Sequence, residues 1–367
     1  MPNTSRDPKL TTELGTVLIT GGSGFVGCNF VKTLLEKGHK VKSFDLAPSP
    51  LPAHENLETI QGNICDYDTV LKACAGVDTI FHTAALIDLN GGKAVTPEYR
   101  NRSFSVNVGG TENMLKAGRA QGVKRLVYTA SNSVVIGGKP ISGGDESLPY
   151  TTRFNDLYTE TKVKAEQIVL SENGQDGLLT CSIRPSGIWG TGDQTMFKRL
   201  FTEVIAGRVK VLVGSKKALL DNSYVHNLIH GQILAAQHLV EGGAAPGQAY
   251  FINDNDPVNM FEFSRPVLEA CGIDYPTFRV PAAIVKFVMV IWERLHFSLG
   301  FPEPPLPPLA VERISINNYF SIEKARRELG YEPLYTTAQA MERCIPYYRK
   351  MFYDMQMEAK GTPQTAG

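Results

Sequence analysis

Tyr158-Thr-Glu-Thr-Lys162 sets a phenol and an ammonium four residues apart. On a helix those positions share one face, so both side chains can address the same atom. A tyrosine ordinarily titrates near about 10 and is no base at neutral pH. A neighbouring positive charge favours the phenolate and lowers that value. The pair therefore suits a general base that takes the proton from an alcohol. Tyr-x-x-x-Lys also occurs on ordinary solvated helices, so its meaning depends on the elements around it.

A second such stretch lies near the start. Gly21-Gly-Ser-Gly-Phe-Val-Gly27 directly follows the apolar run Val17-Leu-Ile-Thr20 and opens a helical pattern over 25–37, closed by Gly38. Gly21, Gly24 and Gly27 permit a tight turn, close approach of backbone to a pyrophosphate, and close helix–strand packing. Phe25 and Val26 complete the candidate phosphate-binding segment, where a helix N-terminus turns unpaired N–H groups toward the ligand. Asp45, 18 residues beyond Gly27, ends a second strand pattern that starts at Val41. An acid there accepts hydrogen bonds from an adenosine ribose and repels a 2′-phosphate, and no arginine follows it. The expected cofactor is NAD rather than NADP.

Thr79-Ile-Phe-His-Thr83, Arg125-Leu-Val-Tyr-Thr129 and residues 179–184 read as further strands, separated by helix-length segments. This alternation predicts an α/β fold, a Rossmann-type doubly wound parallel sheet with helices on both faces. Such sheets bind ligands at their carboxyl edge. After Pro185 the pattern becomes irregular, with strand-like pieces at 209–213 and 249–252 among helices and proline-rich loops. The chain thus divides into an NAD-binding domain over 14–185 and a smaller mixed α+β substrate lobe over 186–350, able to return a strand or helix to the first. Residues 1–13 and 357–367 read as disordered polar tails.

The 367 residues carry 37 basic and 37 acidic side chains, a balance without the basic face a nucleic-acid binder needs. Six scattered cysteines suit a reducing cytoplasm and lack metal-ligand spacing. His226 and His230 lie one helical turn apart but have no third ligand, so no metal is expected. No signal-peptide core opens the chain, and no run reaches the about 18 apolar residues of a membrane span. A cytoplasmic protein is expected.

Taken together, Thr20-Gly21-x-x-Gly24-x-x-Gly27 and Tyr158-x-x-x-Lys162 resemble the extended short-chain dehydrogenase/reductase family. His82-Thr-Ala-Ala85, Asn107-Val-Gly-Gly-Thr111 and Arg184-Pro-Ser-Gly-Ile-Trp-Gly190 add to the likeness. Asn222-Ser-Tyr-Val-His-Asn-Leu-Ile-His-Gly231 and Gly330-Tyr-Glu-Pro333 are similar to its 3β-hydroxysteroid dehydrogenase/isomerase branch, nearest to actinobacterial cholesterol dehydrogenases, over about residues 14–348.

The resemblance implies roles. Tyr158 is the catalytic base; Lys162 orients the nicotinamide ribose and lowers the tyrosine pKa. Ser131, with Ser133 in reserve, hydrogen-bonds the substrate oxygen. Asn63 and Ile64 stand at the adenine, where the family carries Asp-Ile or Asp-Val; asparagine can still accept through its carbonyl oxygen. Thr83, Ala84, Ala85 and Asn107 belong to the cofactor site, and Pro185, Gly187 and Ile188 wall the carboxamide side. The alternative for Ser131 and Ser133 is to cap the end of the strand, and for Asn107 to bond a neighbouring backbone.

The implied reaction is NAD-dependent oxidation of the 3β-hydroxyl of a 3β-hydroxy-5-ene sterol, with the double bond then moved into conjugation. Asp88 and Tyr158 are candidates for that second proton shuttle. A steroid pocket is mostly apolar, and Ala282-Ala-Ile-Val-Lys-Phe-Val-Met-Val-Ile-Trp292 offers such a surface, as does 306–309. The former reads as a core helix, a wall of the sterol cavity, or a peripheral membrane contact. Relatives imply a homodimer through the helices bearing Asn107 and Tyr158. Alternative readings are a decarboxylating sterol-4-carboxylate 3-dehydrogenase, a nucleotide-sugar epimerase or dehydratase using Arg208, Lys210, Lys216 and Lys217, and a non-catalytic NAD sensor.

Overall fold

The computed structural model describes residues 7, 9–87, 96–154, 156–302, 311 and 314–361. The first half runs β1 (Val17–Thr20), α1 (Phe25–Glu36), β2 (Val41–Asp45), β3 (Leu57–Gln61), α2 (Tyr67–Ala73), β4 (Thr79–His82), α3 (Pro97–Phe104), a π-helical turn (Ser105–Gly109), α4 (Gly110–Ala120) and β5 (Arg125–Thr129). Then come β6 (Ile141–Gly144), α5 (Leu157–Ser171), β7 (Leu179–Pro185), β8 (Gly187–Trp189), α6 (Met196–Ile205), β9 (Leu212–Val213), β10 (Asn222–Tyr224), α7 (Val225–Gln237) and β11 (Ala249–Ile252). The chain ends with α8 (Met260–Ala270), β12 (Arg279–Val280), α9 (Ala282–Leu299), β13 (Asn318–Phe320), α10 (Glu323–Leu329) and α11 (Thr337–Ala359).

Seven strands form one parallel sheet in the order β11-β7-β5-β4-β1-β2-β3. Alternate side chains of a strand face opposite sides, and the packing follows that rule. Val17 and Ile19 join a core shared with α1 and α7, while Leu18 joins a second core with α2, α4 and α5. Because all seven strands are parallel, Thr20, Asp45, His82, Thr129 and Pro185 reach the same edge of the sheet.

Two expectations need correction. β3 lies outside the apolar runs; it is the sheet's outer strand, half-buried or exposed throughout, so its sequence carries Glu58 and Gln61 instead of an apolar signature. Parts of both predicted tails are ordered among the described residues. Asp7 and Thr12 donate backbone N–H groups to Gly242 and Gln237, and α11 continues to Ala359. From residues 186–350, β11 extends the sheet beside β7 and α7 packs on α1.

A third difference concerns α9. None of its residues is buried among the described residues, so it is not a core helix. Ile284, Phe287, Val288 and Ile291, at i, i+3, i+4 and i+7, are 56%, 67%, 44% and 43% exposed. Segment 306–309 and Asp88 lie outside the described residues.

Candidate active site

The turn after β1 is built by its glycines. Gly21 adopts φ +72°, a conformation that suits a residue without Cβ. A Cβ on Gly27 would stand 2.1 Å from the Gly21 carbonyl oxygen, so only glycine lets α1 start this close to the turn. Gly24 caps α1 without any side-chain hydrogen bond, which leaves the first-turn N–H groups, including those of Phe25 and Val26, facing outward. A phosphate fits this cradle. Asp45 braces it: one carboxylate oxygen accepts the Ser23 N–H at 3.0 Å and the other the Ala47 N–H at 2.9 Å. A carboxylate has about four acceptor sites, so capacity remains for a ribose diol.

The loop after β4 is tied to the same turn. Thr20 Oγ1 accepts the N–H groups of Thr83 and Ala84, both at 3.1 Å, and Thr83 Oγ1 donates to the Thr20 carbonyl at 2.6 Å. Beyond Ala85, Asn107 Oδ1 accepts the Leu86 N–H at 2.7 Å, while its Nδ2 donates to Leu86 O and to Thr161 Oγ1, each at 2.9 Å. The buried Asn107 amide is therefore spent on shaping this loop. Two adenine-side expectations also shift. Asn63 Oδ1 already accepts the Cys65 N–H at 3.0 Å, and the Ile64 side chain is buried in the core against Gly110.

The catalytic candidates meet where β5 and α5 converge. Asp156 caps α5 by accepting the Thr159 N–H at 2.6 Å, which fixes Tyr158 in the first helical turn. Tyr158 is half-buried, and the Ser131 hydroxyl is near enough to favour its phenolate. Ser131 Oγ also accepts the Ser133 N–H at 3.1 Å, whereas Ser133 Oγ is buried without a hydrogen-bond partner. Ser131, rather than its reserve, is thus the hydroxyl beside Tyr158. Lys162 is 3% exposed; its ammonium donates to the Thr129 carbonyl at 2.7 Å and lies 5.8 Å from the centre of the Tyr158 ring.

The electrostatics differ from the simple expectation of an activated phenol. Burial pushes Tyr158 up to about 12, opposed by the Ser131 hydroxyl. Burial also pushes Lys162 down to about 7, opposed by the Glu166 carboxylate. Desolvation disfavours charge on both groups, so Lys162 is only partly charged at neutral pH and gives the phenol less support than a full ammonium would. Glu166 completes the face formed by Tyr158 and Lys162 at the next helical turn. It is buried in an ion pair with Arg184, Nε to Oε1 at 2.9 Å, and accepts Ser182 Oγ at 2.6 Å. Thr129, Thr161 and Glu166 were not singled out from sequence, although Glu166 sits in plain i, i+4 relation to Lys162.

Pro185 closes β7 in register with Ile252, and β8 carries Gly187 and Ile188 away beside β10. Asn132 Nδ2 donates to Ser186 Oγ at 3.1 Å, fastening this segment to the turn that bears Ser131. Gly187 is exposed and Ile188 half-buried at the same edge of the sheet. The assembled surface thus sets a glycine turn, the Asp45 carboxylate and the Tyr158 and Ser131 hydroxyls, with buried Lys162 behind them, along the carboxyl edge of the sheet.

Residues 18–282 match the profile of the 3-beta hydroxysteroid dehydrogenase/isomerase family. The chain belongs to that family. It is 66% identical over 360 residues to a 3 beta-hydroxysteroid dehydrogenase/Delta 5-->4-isomerase of Mycobacterium tuberculosis, covering 98% of this chain and 97% of that one. It is also 66% identical over 349 residues to a 3-beta-hydroxysteroid dehydrogenase of Mycolicibacterium neoaurum, with 95% of each covered. Among solved structures, a short-chain dehydrogenase/reductase superfamily protein of Agrobacterium tumefaciens with bound NAD superimposes with a TM-score of 0.69 at 21% identity, covering 93% of this chain and 99% of that one. That likeness establishes the shared fold. For this member of the 3-beta hydroxysteroid dehydrogenase/isomerase family, the site lies at the carboxyl edge of its sheet.

Proposed function

We propose that the chain is an NAD-dependent dehydrogenase acting on the 3β-hydroxyl of a 3β-hydroxy-5-ene steroid, with isomerisation to the 4-en-3-one. One observation carries the reading: the Tyr158–Ser131 hydroxyl pair and its buried lysine stand intact in a chain that matches steroid dehydrogenases over nearly its whole length. Gly21, Gly24, Gly27 and the α1 N-terminus would hold the pyrophosphate, and Asp45 the adenosine ribose. Bound NAD supplies the hydride acceptor and a positively charged ring. Tyr158 accepts the alcohol proton, and Ser131 donates a hydrogen bond to the substrate oxygen as its charge changes. An ammonium has three donors; one of Lys162's holds Thr129, which leaves others for the nicotinamide ribose. Tyr158 is also the candidate for moving a proton from C4 to C6 of the steroid.

The test is to incubate the purified protein with NAD and, separately, cholesterol, pregnenolone, dehydroepiandrosterone and UDP-glucose, following NADH and the ultraviolet band of the conjugated enone. NADH and enone with a steroid are expected. NADH with UDP-glucose alone would overturn the reading, and NADH without enone would remove the isomerase step.

No helix among the described residues is long and apolar enough to cross a membrane. The exposed stripe of α9 supports a cytoplasmic enzyme that touches a membrane surface, where a water-insoluble substrate resides. Co-sedimentation with anionic liposomes should fall for Phe287→Ser/Ile291→Ser; equal sedimentation of both proteins, or none of either, removes the contact. A homodimer through α4 and α5 completes the proposal, and a monomer in sedimentation velocity would refute it.

A further inference from the structure

His82 ends β4 one residue before the loop that carries Thr83, Ala84 and Ala85, and its ring is buried. The proposed chemistry gives it no task. Both ring nitrogens nevertheless have partners: Nδ1 lies 2.7 Å from Thr20 Oγ1, and Nε2 lies 3.0 Å from Thr111 Oγ1. Their hydrogens can be assigned by counting. Thr20 Oγ1 already accepts two backbone N–H groups, so both its lone pairs are occupied and its own hydrogen must point to Nδ1. At the other end, the Thr111 hydroxyl donates to the Asn107 carbonyl at 2.8 Å, so its oxygen receives a hydrogen from Nε2. The two ends independently require the same ring, with Nε2 protonated and Nδ1 bare. Burial, with the Lys162 charge adding to it, pushes the imidazole down to about 3 and keeps that ring neutral.

We infer that His82 is a positioning residue, a link of fixed tautomer that holds the phosphate turn, through Thr20, in register with the helical turn bearing Asn107, through Thr111. The connection continues to the catalytic helix. Asn107 Nδ2 donates to Thr161 Oγ1, and that hydroxyl donates to the Tyr158 carbonyl at 2.9 Å. A π-helical turn at Ser105–Gly109 sits in the middle of this path, and such turns are frequent at functional sites. Imidazole suits the link because it is rigid and presents a donor and an acceptor on opposite sides, so the two halves of the site are held at one spacing. The inference rests on the dehydrogenase reading for the role of α5, while its first test does not.

That first test is nitrogen-15 NMR of the native protein, with the His82 signal assigned by its loss in His82→Asn. The expected spectrum shows a pyridine-like Nδ1 and a pyrrole-like Nε2 that do not titrate between about pH 5 and 8, the range of an ordinary histidine. The reverse tautomer, or titration in that range, overturns the inference. The second test splits the link. His82→Asn can keep an acceptor near Nδ1, and His82→Gln a donor near Nε2. Losing one buried hydrogen bond is worth about tenfold. The Asn variant should therefore keep NAD affinity within about twofold and lose about tenfold in kcat, with the Gln variant showing the reverse. Parallel losses in both variants would mean that His82 only fills space. Thr111→Val, which keeps the side-chain shape, should reproduce the Asn phenotype, and combining it with His82→Asn should cost nothing further; additive losses overturn the link. NAD affinity and NMR are read without steroid, so absence of turnover on every steroid would sink the function reading and leave these results decisive.

Discussion

Under the proposed function cofactor choice would turn on Asp45, and its hydrogen bonds let the expected contribution be divided. The carboxylate spends one acceptor site on Ser23 N–H and one on Ala47 N–H, leaving others for a ribose diol. Hydrogen bonds to a charged group contribute about 1.5–3 kcal/mol each, and the half-buried position argues for the lower end. Asp45→Ala removes the ribose acceptor and loosens the loop, so about 3 kcal/mol of binding is lost and NAD affinity falls about 100-fold. Asp45→Asn keeps one amide oxygen for Ser23 and loses the charge, for a loss of about tenfold. NADP responds with the opposite sign. A phosphate charge about 4 Å from a carboxylate, at an effective dielectric of about 20, is opposed by about 4 kcal/mol, of which screening leaves roughly half. Removing that repulsion should raise the NADP-to-NAD affinity ratio at least about 30-fold in Asp45→Asn. Calorimetric titration of both dinucleotides at one ionic strength measures the ratio. If NAD and NADP weaken together, Asp45 is a loop brace alone, and the reading of it as the ribose acid is wrong.

Other outcomes follow from the catalytic face. Tyr158→Phe should lower kcat by about 10³-fold or more with NAD affinity within about twofold, and Ser131→Ala should lower it about 100-fold; stopped-flow NADH formation and dinucleotide titration check both. Lys162 has a folded pKa lowered from 10.5 to about 7. Between those values the unfolded chain binds more protons, so this group's contribution to stability rises with pH across that window. Urea denaturation near about pH 7 and about pH 10 should show a rise that Lys162→Met removes; an unchanged slope in that variant would show that the lysine is fully charged in the fold. Glu166→Gln leaves Arg184 without its buried partner and should destabilise the protein by about 3–5 kcal/mol. The same change withdraws the group that holds Lys162 up, so the alkaline limb of the kcat/KM profile should move to lower pH.

The phosphate turn was legible because its constraint is local: a strand, three glycines and a helix must follow one another, and Gly27 has no room for a Cβ. The central strands were legible because burial on both faces gives each a short apolar stretch, such as Val17-Leu-Ile19 or Ile80-Phe81, between helix-length segments. β3 was not, since an outer strand loses little by carrying Glu58 and Gln61. In the 282–292 run, composition correctly indicated apolar surface but could not say what that surface faces; the described residues leave its stripe exposed. The same limit applied at the catalytic helix. Its i, i+4 spacing brought Tyr158 and Lys162 to one face, but the charge state of each depends on burial by distant segments and on the Thr129 carbonyl. Asn107 and His82 were visible as motif residues, yet their partners come from other strands and helices, and a hydrogen-bond path of that kind has no signature in spacing.

Charge at the catalytic pair bears on how the reaction is controlled. In the free protein one cause, burial, pushes Tyr158 up to about 12 and Lys162 down to about 7. Passing a proton from the lysine to the tyrosine cannot relieve both, because the tyrosine already holds its own. The phenol therefore stays protonated at neutral pH until another positive charge lies beside it. Alcohol oxidation removes a proton and a hydride together, and a strong base present without a hydride acceptor would achieve only half of that reaction. Under the proposed function the missing charge would come from the oxidised dinucleotide, so Tyr158 would become a base only with the hydride acceptor beside it. Ultraviolet titration makes the point measurable. Without NAD, the Tyr158 phenolate should be absent below about pH 11, as judged by difference from Tyr158→Phe, and should form at lower pH with NAD than with NADH, whose ring is neutral. Equal titration with the two forms would mean that Lys162, and not the cofactor charge, activates the tyrosine.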